Sequence, residues 1–232
     1  MVRFMGIKAF IMNKVKKVVF GYRATSGGYL AYLRKKGAKI GKNITIFAPA
    51  STTIDAHNPY LITMGDNIVI TGPVTILTHD YAVFVCNNMC PQGGGGKQLD
   101  RVGCNRPVAI GNNVFLGWGC TILAGSTIGD NVIIGAHAVV SGKVESNSVY
   151  AGNPAKKIMS IEEYYERRFA QQPKEIEDMF TAYKQFYGVD PEETVFSSAY
   201  RNHFHSKGNG KRMAIGRTFE SYEEFCDYMN KG

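Results

Sequence analysis

The stretch IGNNVFLGWGCTILAGSTIGDNVIIGAHAVVSGKV, residues 110–144, has an aliphatic residue at every sixth position. These positions are Ile110, Leu116, Ile122, Ile128, Ile134 and Val140. Four places after each of them stands a small or branched residue: Val114, Cys120, Ser126, Val132, Ala138 and Val144. A period of six fits neither an α-helix nor a hairpin sheet. It is typical of short parallel strands that are joined by tight turns and coiled into a solenoid.

The same pattern occurs earlier in the chain, at Ile40-Gly41 and Ile46 and again at Met64-Gly65, Ile70 and Ile76. With three hexapeptides in each coil, the aliphatic residues point into the solenoid. The position four places later also faces inward, where the narrow interior admits little more than a methyl or a hydroxyl group. The sequence therefore predicts an elongated prism with three flat faces.

Six segments carry a resemblance to a known family. They are IGKN (40–43), MGDN (64–67), ILTHD (76–80), IGNNVFLG (110–117), IGDNVIIG (128–135) and AGNPAK (151–156). Together they resemble the hexapeptide-repeat acyltransferases, and most closely the O-acetyltransferases of bacterial surface-polysaccharide synthesis. The resemblance runs from about Lys36 to Ile158 and implies a left-handed parallel β-helix. The residue pattern on either side adds N-terminal helices and an α-helical C-terminal module, so we expect a mainly β fold with these additions.

The pattern divides the chain into three segments. Residues 1–36 are a basic helical segment, residues 37–158 are the β-helix domain with a long loop at 81–107, and residues 159–232 are the helical module. Helical signals begin at Ser160-Ile-Glu-Glu163 and recur at Ser221-Tyr-Glu-Glu224, both of which have the pattern of a capping box. Fourteen of the 27 aromatic residues fall in the last 73 positions, which indicates that this module packs against the solenoid or a neighbouring subunit.

Positive charge is concentrated at the start of the chain. The whole sequence has 27 Lys and Arg against 19 Asp and Glu, but residues 1–54 contain eleven bases and no acid. Residues 8–20 predict an amphipathic helix with a basic face, which either caps the core or contacts an anionic membrane surface. Lysines interrupt its apolar run and no cleavage site follows, so it does not have the pattern of a signal peptide. We expect no nucleic-acid partner.

The five cysteines are Cys86, Cys90, Cys104, Cys120 and Cys226. An odd number without export signals predicts reduced thiols and a cytoplasmic protein, with association at the inner face of the membrane as a further option. Their spacing, even with His79 added, matches no common zinc pattern, so we expect no metal.

His79 follows an apolar strand-like run and precedes the loop, where the sixfold repeat is lost. Transfer of an acetyl group from a thioester to a hydroxyl requires a base, and an imidazole with a pKa of about 6.5 in model peptides is suited to that role. In the family the histidine of this motif is the base, and the match falls on His79. The alternative is a histidine that caps the end of a strand.

Two carboxylates are candidates for contacts with the acceptor. Asp80 adjoins His79, but neighbouring side chains on a strand point to opposite faces, so the two need not touch. Asp80 orients a loop group, binds a sugar hydroxyl or stabilises the turn. Asp55 lies at a second break in the repeat and reaches the substrate from a neighbouring coil or subunit.

The resemblance also implies a site for acetyl-CoA between adjacent subunits of a homotrimer. Trp118, Ala136 and Pro154 are spaced 18 apart and should stack along one edge, where a large residue below a small one makes a groove. The predicted donor-binding residues are Trp118, Ala136, Ser141, Gly142, Lys156 and Lys157. The two lysines would neutralise phosphates, unless they belong to an ordinary solvated turn.

These observations predict an enzyme, an O-acetyltransferase that moves acetyl from acetyl-CoA to a hydroxyl of a sugar in a surface polysaccharide or its lipid-linked precursor. One alternative is an acetyltransferase for a small acceptor such as serine, maltose or an antibiotic. The other is a noncatalytic hexapeptide-repeat scaffold.

Overall fold

The structure is a computed structural model that describes residues 15, 18–89, 101–197, 205–206, 212–215 and 217–231. The chain forms two compact units, residues 1–161 and residues 162–232. This boundary does not test the predicted division into three segments, which stays a prediction. The Gly-rich part of the loop, residues 93–96, and Cys90 lie outside the described residues.

Short strands form most of the first unit. They are β1 (Lys39–Ile40), β2 (Ile44–Ile46), β3 (Thr53–Ile54), β4 (Ile62–Met64), β5 (Ile68–Ile70), β6 (Thr75–Ile76), β7 (Val108–Ile110), β8 (Val114–Leu116), β9 (Thr121–Ile122), β10 (Thr127–Ile128), β11 (Val132–Ile134), β12 (Val139–Val140), β13 (Lys143–Val144), β14 (Ser148–Ala151) and β15 (Lys156–Ser160). Successive strands from β1 to β14 belong in turn to the first, second and third of three sheets. The strand orders of these sheets are β1-β4-β7-β10-β13, β2-β5-β8-β11-β14 and β3-β6-β9-β12. Neighbours in each sheet are parallel, and β15 adds an antiparallel edge to β14. The predicted parallel, mainly β architecture is confirmed.

The register explains the period of six. Ile110 pairs with Ile128, Val114 with Val132 and Thr121 with Val139, so one regular coil contains 18 residues distributed over three strands. The aliphatic positions of the repeat are buried and form one continuous core. The small positions are buried as well, and Cys120 and Ala138 are 0% exposed. Burial raises the pKa of the Cys120 thiol to about 12, so this side chain behaves as an apolar filler.

The long loop returns the chain to the register that it left. Ile62 pairs with Val108, Ile68 with Val114 and Thr75 with Thr121, an offset of 46 residues in all three sheets and 28 more than in a regular coil. The insertion is therefore confined to one connection, and the strands on either side of it still stack. Part of it is helical, as α2 (Val83–Met89), where the sequence predicted only loop.

We call the connections between the first and second sheets the asparagine corner. Each connection has three residues and ends in an asparagine with positive φ, between +53° and +58°. The five residues are Asn43, Asn67, Asn113, Asn131 and Asn147. Asparagine tolerates this left-handed conformation better than most side chains. Their amides also bond along the column, with Nδ2 of Asn113 donating to Oδ1 of Asn131 at 2.8 Å and Nδ2 of Asn131 to Oδ1 of Asn147 at 2.8 Å.

The last coil is shorter than predicted. Ile134 pairs with Tyr150 and Thr127 with Lys143, so the offset falls from 18 to 16 residues. Ala136 therefore lies beside Gly152 in this register, and the expected stacking of Pro154 on Ala136 is wrong. The sequence pattern missed this because the turn after the last strand of the third sheet contains only Ser141 and Gly142.

Helical segments precede the strands. Residues 18–20 are helical and exposed, a 3₁₀ turn covers Gly21–Ala24, and α1 spans Ser26–Lys35. The Thr25 hydroxyl caps α1 by accepting from the backbone N–H of Gly28 at 3.1 Å. α1 packs the buried side chains of Tyr29, Leu30 and Leu33 against the core. No helix among the described residues is long and apolar enough to cross a bilayer.

The second unit has its own core. Its elements are α3 (Ile161–Tyr187), which begins at the unit boundary, α4 (Glu193–Ser197), β16 (His205–Ser206), β17 (Arg212–Ala214), β18 (Arg217–Phe219) and α5 (Tyr222–Met229). Ile176, Phe180, Phe196, Phe219, Phe225 and Cys226 are buried together. The expected capping residue Ser221 accepts from Glu224 N–H at 3.1 Å. The predicted helices are confirmed, but the small antiparallel sheet β16-β17-β18 was not predicted.

Candidate active site

Asp55 and His79 come together at the corner where the third sheet leads back to the first. β3 and β6 are paired with Ile54 opposite Ile76, so the residues that follow these strands lie in adjacent coils. Oδ2 of Asp55 is 2.6 Å from Nδ1 of His79. The Asp55 side chain is 1% exposed and the His79 side chain 17%. We call this place, with His57, the histidine corner.

Asp55 is held by several donors. Its Oδ1 accepts from the backbone N–H of His57 at 2.8 Å. Its Oδ2 accepts from the hydroxyl of Thr78, from the backbone N–H of Thr78 at 3.2 Å and from His79. Burial would raise the pKa of the Asp55 carboxyl, but the hydrogen bonds from Thr78, His57 and His79 outweigh it and hold that pKa well below its usual value. Asp55 is therefore ionised at neutral pH.

The ionised carboxylate determines the tautomer of His79. A carboxylate only accepts hydrogen bonds, so Nδ1 of His79 must carry the proton that is shared with Asp55. In the neutral ring Nε2 then has a free lone pair and can accept a proton. This is the arrangement in which a buried carboxylate orients a general base.

The structure distinguishes the two aspartates that the sequence singled out. Asp55 was expected to contact substrate; its buried oxygens accept hydrogen bonds from Thr78, His57 and His79, and a direct contact with substrate stays a prediction. The carboxylate of Asp80 accepts from the backbone N–H of Ala82 at 2.8 Å, at the start of the loop. A substrate contact of Asp80 stays a prediction. The sequence did contain a signal for the contact between Asp55 and His79, since both breaks in the repeat follow strands of the same sheet.

The returning end of the loop fixes the backbone around His79. Asn105 forms an isolated antiparallel bridge with His79. On either side of it, Arg106 N–H donates to the Thr78 carbonyl at 2.8 Å and Asp80 N–H to the Cys104 carbonyl at 3.0 Å. These contacts hold the two ends of the insertion together beside the imidazole of His79.

A pocket of about 280 Å³ opens beside this pair. We call it the His79 pocket, and its lining includes Tyr22, Arg23, Tyr29, His57, Leu77 and His79. Arg23, Tyr22 and Tyr29 could not be predicted from the sequence, because they precede the repeat and no motif marks them. His57 also lines the pocket; its ring is 5.8 Å from that of His79 and its side chain is 76% exposed.

Four of the six predicted donor-binding residues fall at two corners. Trp118 is 54% exposed and follows β8, and the exposed Ala136 follows β11, so both lie between the second and third sheets. His137 N–H donates to the Trp118 carbonyl at 2.7 Å, which confirms that these two turns stack. Ser141 and Gly142 follow β12 and so lie at the histidine corner.

The two predicted phosphate-binding lysines are on strand β15 rather than in a turn. Both are exposed at the edge of the second sheet. Nζ of Lys157 is 3.0 Å from Oε2 of Glu145, and this hydrogen bond raises the pKa of Lys157. A phosphate would therefore compete with Glu145 for this ammonium group, and the binding role of Lys156 and Lys157 stays a prediction. No cluster of ligating side chains that could hold a metal occurs among the residues that the structure describes.

Comparison with known proteins gives the class. A family model described as bacterial transferase hexapeptide (six repeats) matches residues 107–142. Protein CapG of Staphylococcus aureus is 39% identical over 132 residues, which are 57% of this chain and 71% of CapG. WcaF of Escherichia coli, whose name assigns it to colanic acid biosynthesis as an acetyltransferase, is 31% identical over 64% of this chain and 80% of its own length. The chain belongs to the hexapeptide-repeat acyltransferases, as the sequence predicted, and is therefore an acyltransferase.

A third relative is named for its acceptor, a galactoside. Galactoside O-acetyltransferase of Escherichia coli is 34% identical over 124 residues, and the match spans 53% of this chain and 53% of that protein. The relatives thus include one named for colanic acid biosynthesis and one named for a galactoside.

Proposed function

We propose that the protein is an O-acetyltransferase that uses acetyl-CoA to acetylate a hydroxyl of a sugar in a surface polysaccharide or its lipid-linked precursor. The observation that carries this proposal is the contact between Asp55 and His79, which prepares Nε2 of His79 to accept a proton. The 31% identity with WcaF supports the acceptor class, and the acetyltransferase names among the relatives support the donor. The three parallel sheets, visited in rotation, are the faces of a left-handed β-helix.

In this reaction Nε2 of His79 takes the proton of the sugar hydroxyl as its oxygen attacks the thioester carbonyl. The C–O bond forms first. The C–S bond then breaks, and the imidazolium returns the proton to the CoA thiolate. Asp55 stays ionised and stabilises the imidazolium that forms between the two steps. General-base catalysis of this kind contributes roughly a hundred- to ten-thousandfold.

The donor lies along the edge formed by Trp118 and Ala136, with Ser141 and Gly142 near its thioester and Lys156 and Lys157 near its phosphates. Trp118 and His79 occupy different corners of one chain. A donor held at the first corner therefore meets the base of another subunit, and the active form is a homotrimer with shared sites. Asp80 contacts the acceptor at the base of the loop.

A mixing experiment tests shared sites. His79→Ala and a Trp118→Ala variant, each inactive alone, are combined in heterotrimers whose composition is verified by differential tags. Restored acetyl transfer is expected if the two corners come from different subunits. Strict absence of rescue would place the whole site within one chain.

A second candidate function is acetylation of a small, soluble acceptor. The 34% identity with galactoside O-acetyltransferase favours it. Release of CoA thiol is therefore measured with a panel that pairs free sugars, serine and maltose with oligosaccharides of surface polysaccharides. A turnover that rises with glycan length supports the first function, and turnover on free sugars alone supports the second. Absence of release with every acceptor, and equal background in His79→Ala, would leave the noncatalytic scaffold.

Residues 1–54 bring eleven bases and no acid, so we also propose that this segment contacts an anionic membrane from the cytoplasmic side. Such contact would bring the His79 pocket close to a lipid-linked acceptor, because Tyr22 and Arg23 belong to both the segment and the pocket lining. Sedimentation with vesicles that contain anionic or only zwitterionic lipid measures it, and equal binding to both would contradict it.

A further inference from the structure

Arg23 is held in place beside the His79 pocket. It belongs to the 3₁₀ turn before α1. Its Nη2 donates to the Thr52 carbonyl, and its guanidinium lies 5.4 Å from the centre of the Tyr29 ring. Tyr29 is itself fixed, because its hydroxyl accepts from the backbone N–H of Ile54 at 2.9 Å. The position of this cation therefore depends on buried groups of the core and not on solvent-exposed neighbours.

The charge of Arg23 has no counter-ion in the protein that the structure describes. No acid precedes Asp55 in the sequence. Asp55 is the carboxylate of the pocket lining, and its oxygens are already bonded to His57, Thr78 and His79. Nε of Arg23 is buried and has no hydrogen-bond partner among the described atoms. A half-buried guanidinium without a counter-ion costs free energy unless something else compensates its charge.

The other polar groups of the pocket point to the same kind of ligand. His57 and His79 are its remaining titratable bases, and the ring of His57 is largely exposed. The exposed charge of the pocket is thus positive or neutral. At about 280 Å³ the pocket is near the lower end of the range of roughly 300–1,000 Å³ that is usual for small-molecule sites. It suits one sugar ring better than a long segment of glycan.

We propose that the acceptor sugar carries a negatively charged group, a carboxylate or a phosphate, and that Arg23 binds this group while a hydroxyl of the same residue faces His79. The planar guanidinium recognises both anions through paired N–H donors. Tyr22 and His57 line the same pocket. This inference rests on the proposed function, since it names the chemistry of the acceptor at the same site.

The experiment compares three acceptors with the full-length protein and acetyl-CoA. They are a methyl hexoside, the matching methyl hexuronide and the matching methyl hexoside phosphate. The wild type should have a kcat/KM about tenfold or more higher for at least one anionic acceptor than for the neutral one. Which anion is preferred distinguishes a sugar acid from a sugar phosphate. Equal values for all three would overturn the inference and leave the acetyltransferase function intact.

Arg23→Gln should reduce the ratio of anionic to neutral kcat/KM to about one. The matched control is Arg34→Gln, because Arg34 also donates to backbone carbonyls, those of Ile40 and Gly41, but does not line the pocket. It removes the same charge from the same segment and should leave the ratio unchanged. An equal fall in both variants would mean that only net charge matters, and would overturn the assignment to Arg23.

Binding separates a failure of the inference from a failure of the proposed function. Saturation-transfer NMR with the methyl hexuronide, the hexoside phosphate and the neutral hexoside needs no turnover. Anion-dependent binding that is lost in Arg23→Gln and retained in part in Arg23→Lys supports the inference even if no acceptor is acetylated. If Arg23→Gln does not fold, as judged by its thermal transition, Arg23→Lys decides: it keeps the charge but loses the paired donors, so undiminished anion preference in that variant would overturn the bidentate contact.

Discussion

The asparagine corner and the histidine corner belong to the same coils but are built in opposite ways. At the asparagine corner all five connections have three residues and end in asparagine. At the histidine corner the connections are residues 55–61, 77–107, 123–126 and 141–142, and no two have the same length. Repetition lets amides of neighbouring coils bond to each other, as in the pairs Asn43–Asn67, Asn113–Asn131 and Asn131–Asn147. Where repetition fails, side chains such as His79 keep an atom available for a ligand.

The two corners also treat carboxylates differently. Asp130 at the asparagine corner accepts from the backbone N–H of Asn112 at 2.5 Å and is exposed. Asn112 itself does the same for Asp66 at 2.8 Å, so an amide and a carboxylate are interchangeable in that column. Asp55 is buried and must be charged to orient His79. An aspartate is thus structural at the asparagine corner, whereas at the histidine corner we propose that an aspartate supports catalysis by orienting His79.

The largest effect is expected from His79→Ala. Removal of the base should reduce kcat by a hundred- to ten-thousandfold, because the sugar hydroxyl keeps its proton. The thermal transition should change little, since the imidazole is not part of the core. Steady-state CoA release and calorimetry measure the two quantities. A variant that keeps more than about a tenth of the wild-type turnover would contradict the role of His79.

Tryptophan substitutions at Ala136 and Ala138 come next and compare the outside of a coil with its inside. Ala138 is 0% exposed, so Ala138→Trp should prevent folding. Ala136 is exposed, and Ala136→Trp should fold but raise the KM for acetyl-CoA by filling the proposed donor groove. Circular dichroism and CoA titration distinguish the two. If both variants fold equally well, the assignment of inward and outward positions is wrong.

Asp55→Asn should lower kcat by on the order of a hundredfold, because an amide can donate to His79 and favour the wrong tautomer. Asp130→Asn is the control, and Asn112 shows that its site accepts an amide. It should change neither kcat nor the melting temperature appreciably. Similar rate losses in the two variants would show that the effect comes from the scaffold and not from the orientation of His79.

Asn131→Ala should affect stability without affecting activity. Alanine at φ of +55° costs roughly 1–2 kcal/mol, and the loss of two amide bonds adds about 1 kcal/mol more. Asn131→Gly loses the bonds but avoids the strain, so its melting temperature should lie between those of Asn131→Ala and the wild type. Equal melting temperatures of the two variants would mean that the amide column, and not the backbone conformation, dominates.

The smallest effect concerns acid pH. The pKa of Asp55 is lowered on folding, so its carboxylate stabilises the native state above the unfolded pKa of about 3.9, and this contribution is lost as pH falls from there toward the folded pKa. The stability of the wild type should therefore decrease below about pH 4 more steeply than that of Asp55→Asn. Denaturant titrations from pH 6 to pH 3 measure the slopes, and identical slopes would mean that Asp55 does not couple to folding.

Much of the fold could be predicted from the sequence, because its signal is local. The spacing of Ile110, Leu116 and Ile122 places one aliphatic residue of each successive strand in the core, and three such strands make one coil. His79 could also be singled out, since it stands where the repeat stops. In both cases the information lies within a few residues, because the aliphatic period and its interruption can be read directly from the sequence.

The partners of His79 were decided only by tertiary structure. Asp80 is its neighbour in sequence, but Asp55 is its neighbour in space, because the offset between β3 and β6 depends on the length of an irregular connection. The same holds for Pro154, which a coil shortened to 16 residues moves away from Ala136, and for Arg23, which comes before the repeat begins. A repeat determines which residues point inward. The lengths of its interruptions determine which outward residues lie next to each other. The effect of these lengths can be read only from the register of the paired strands.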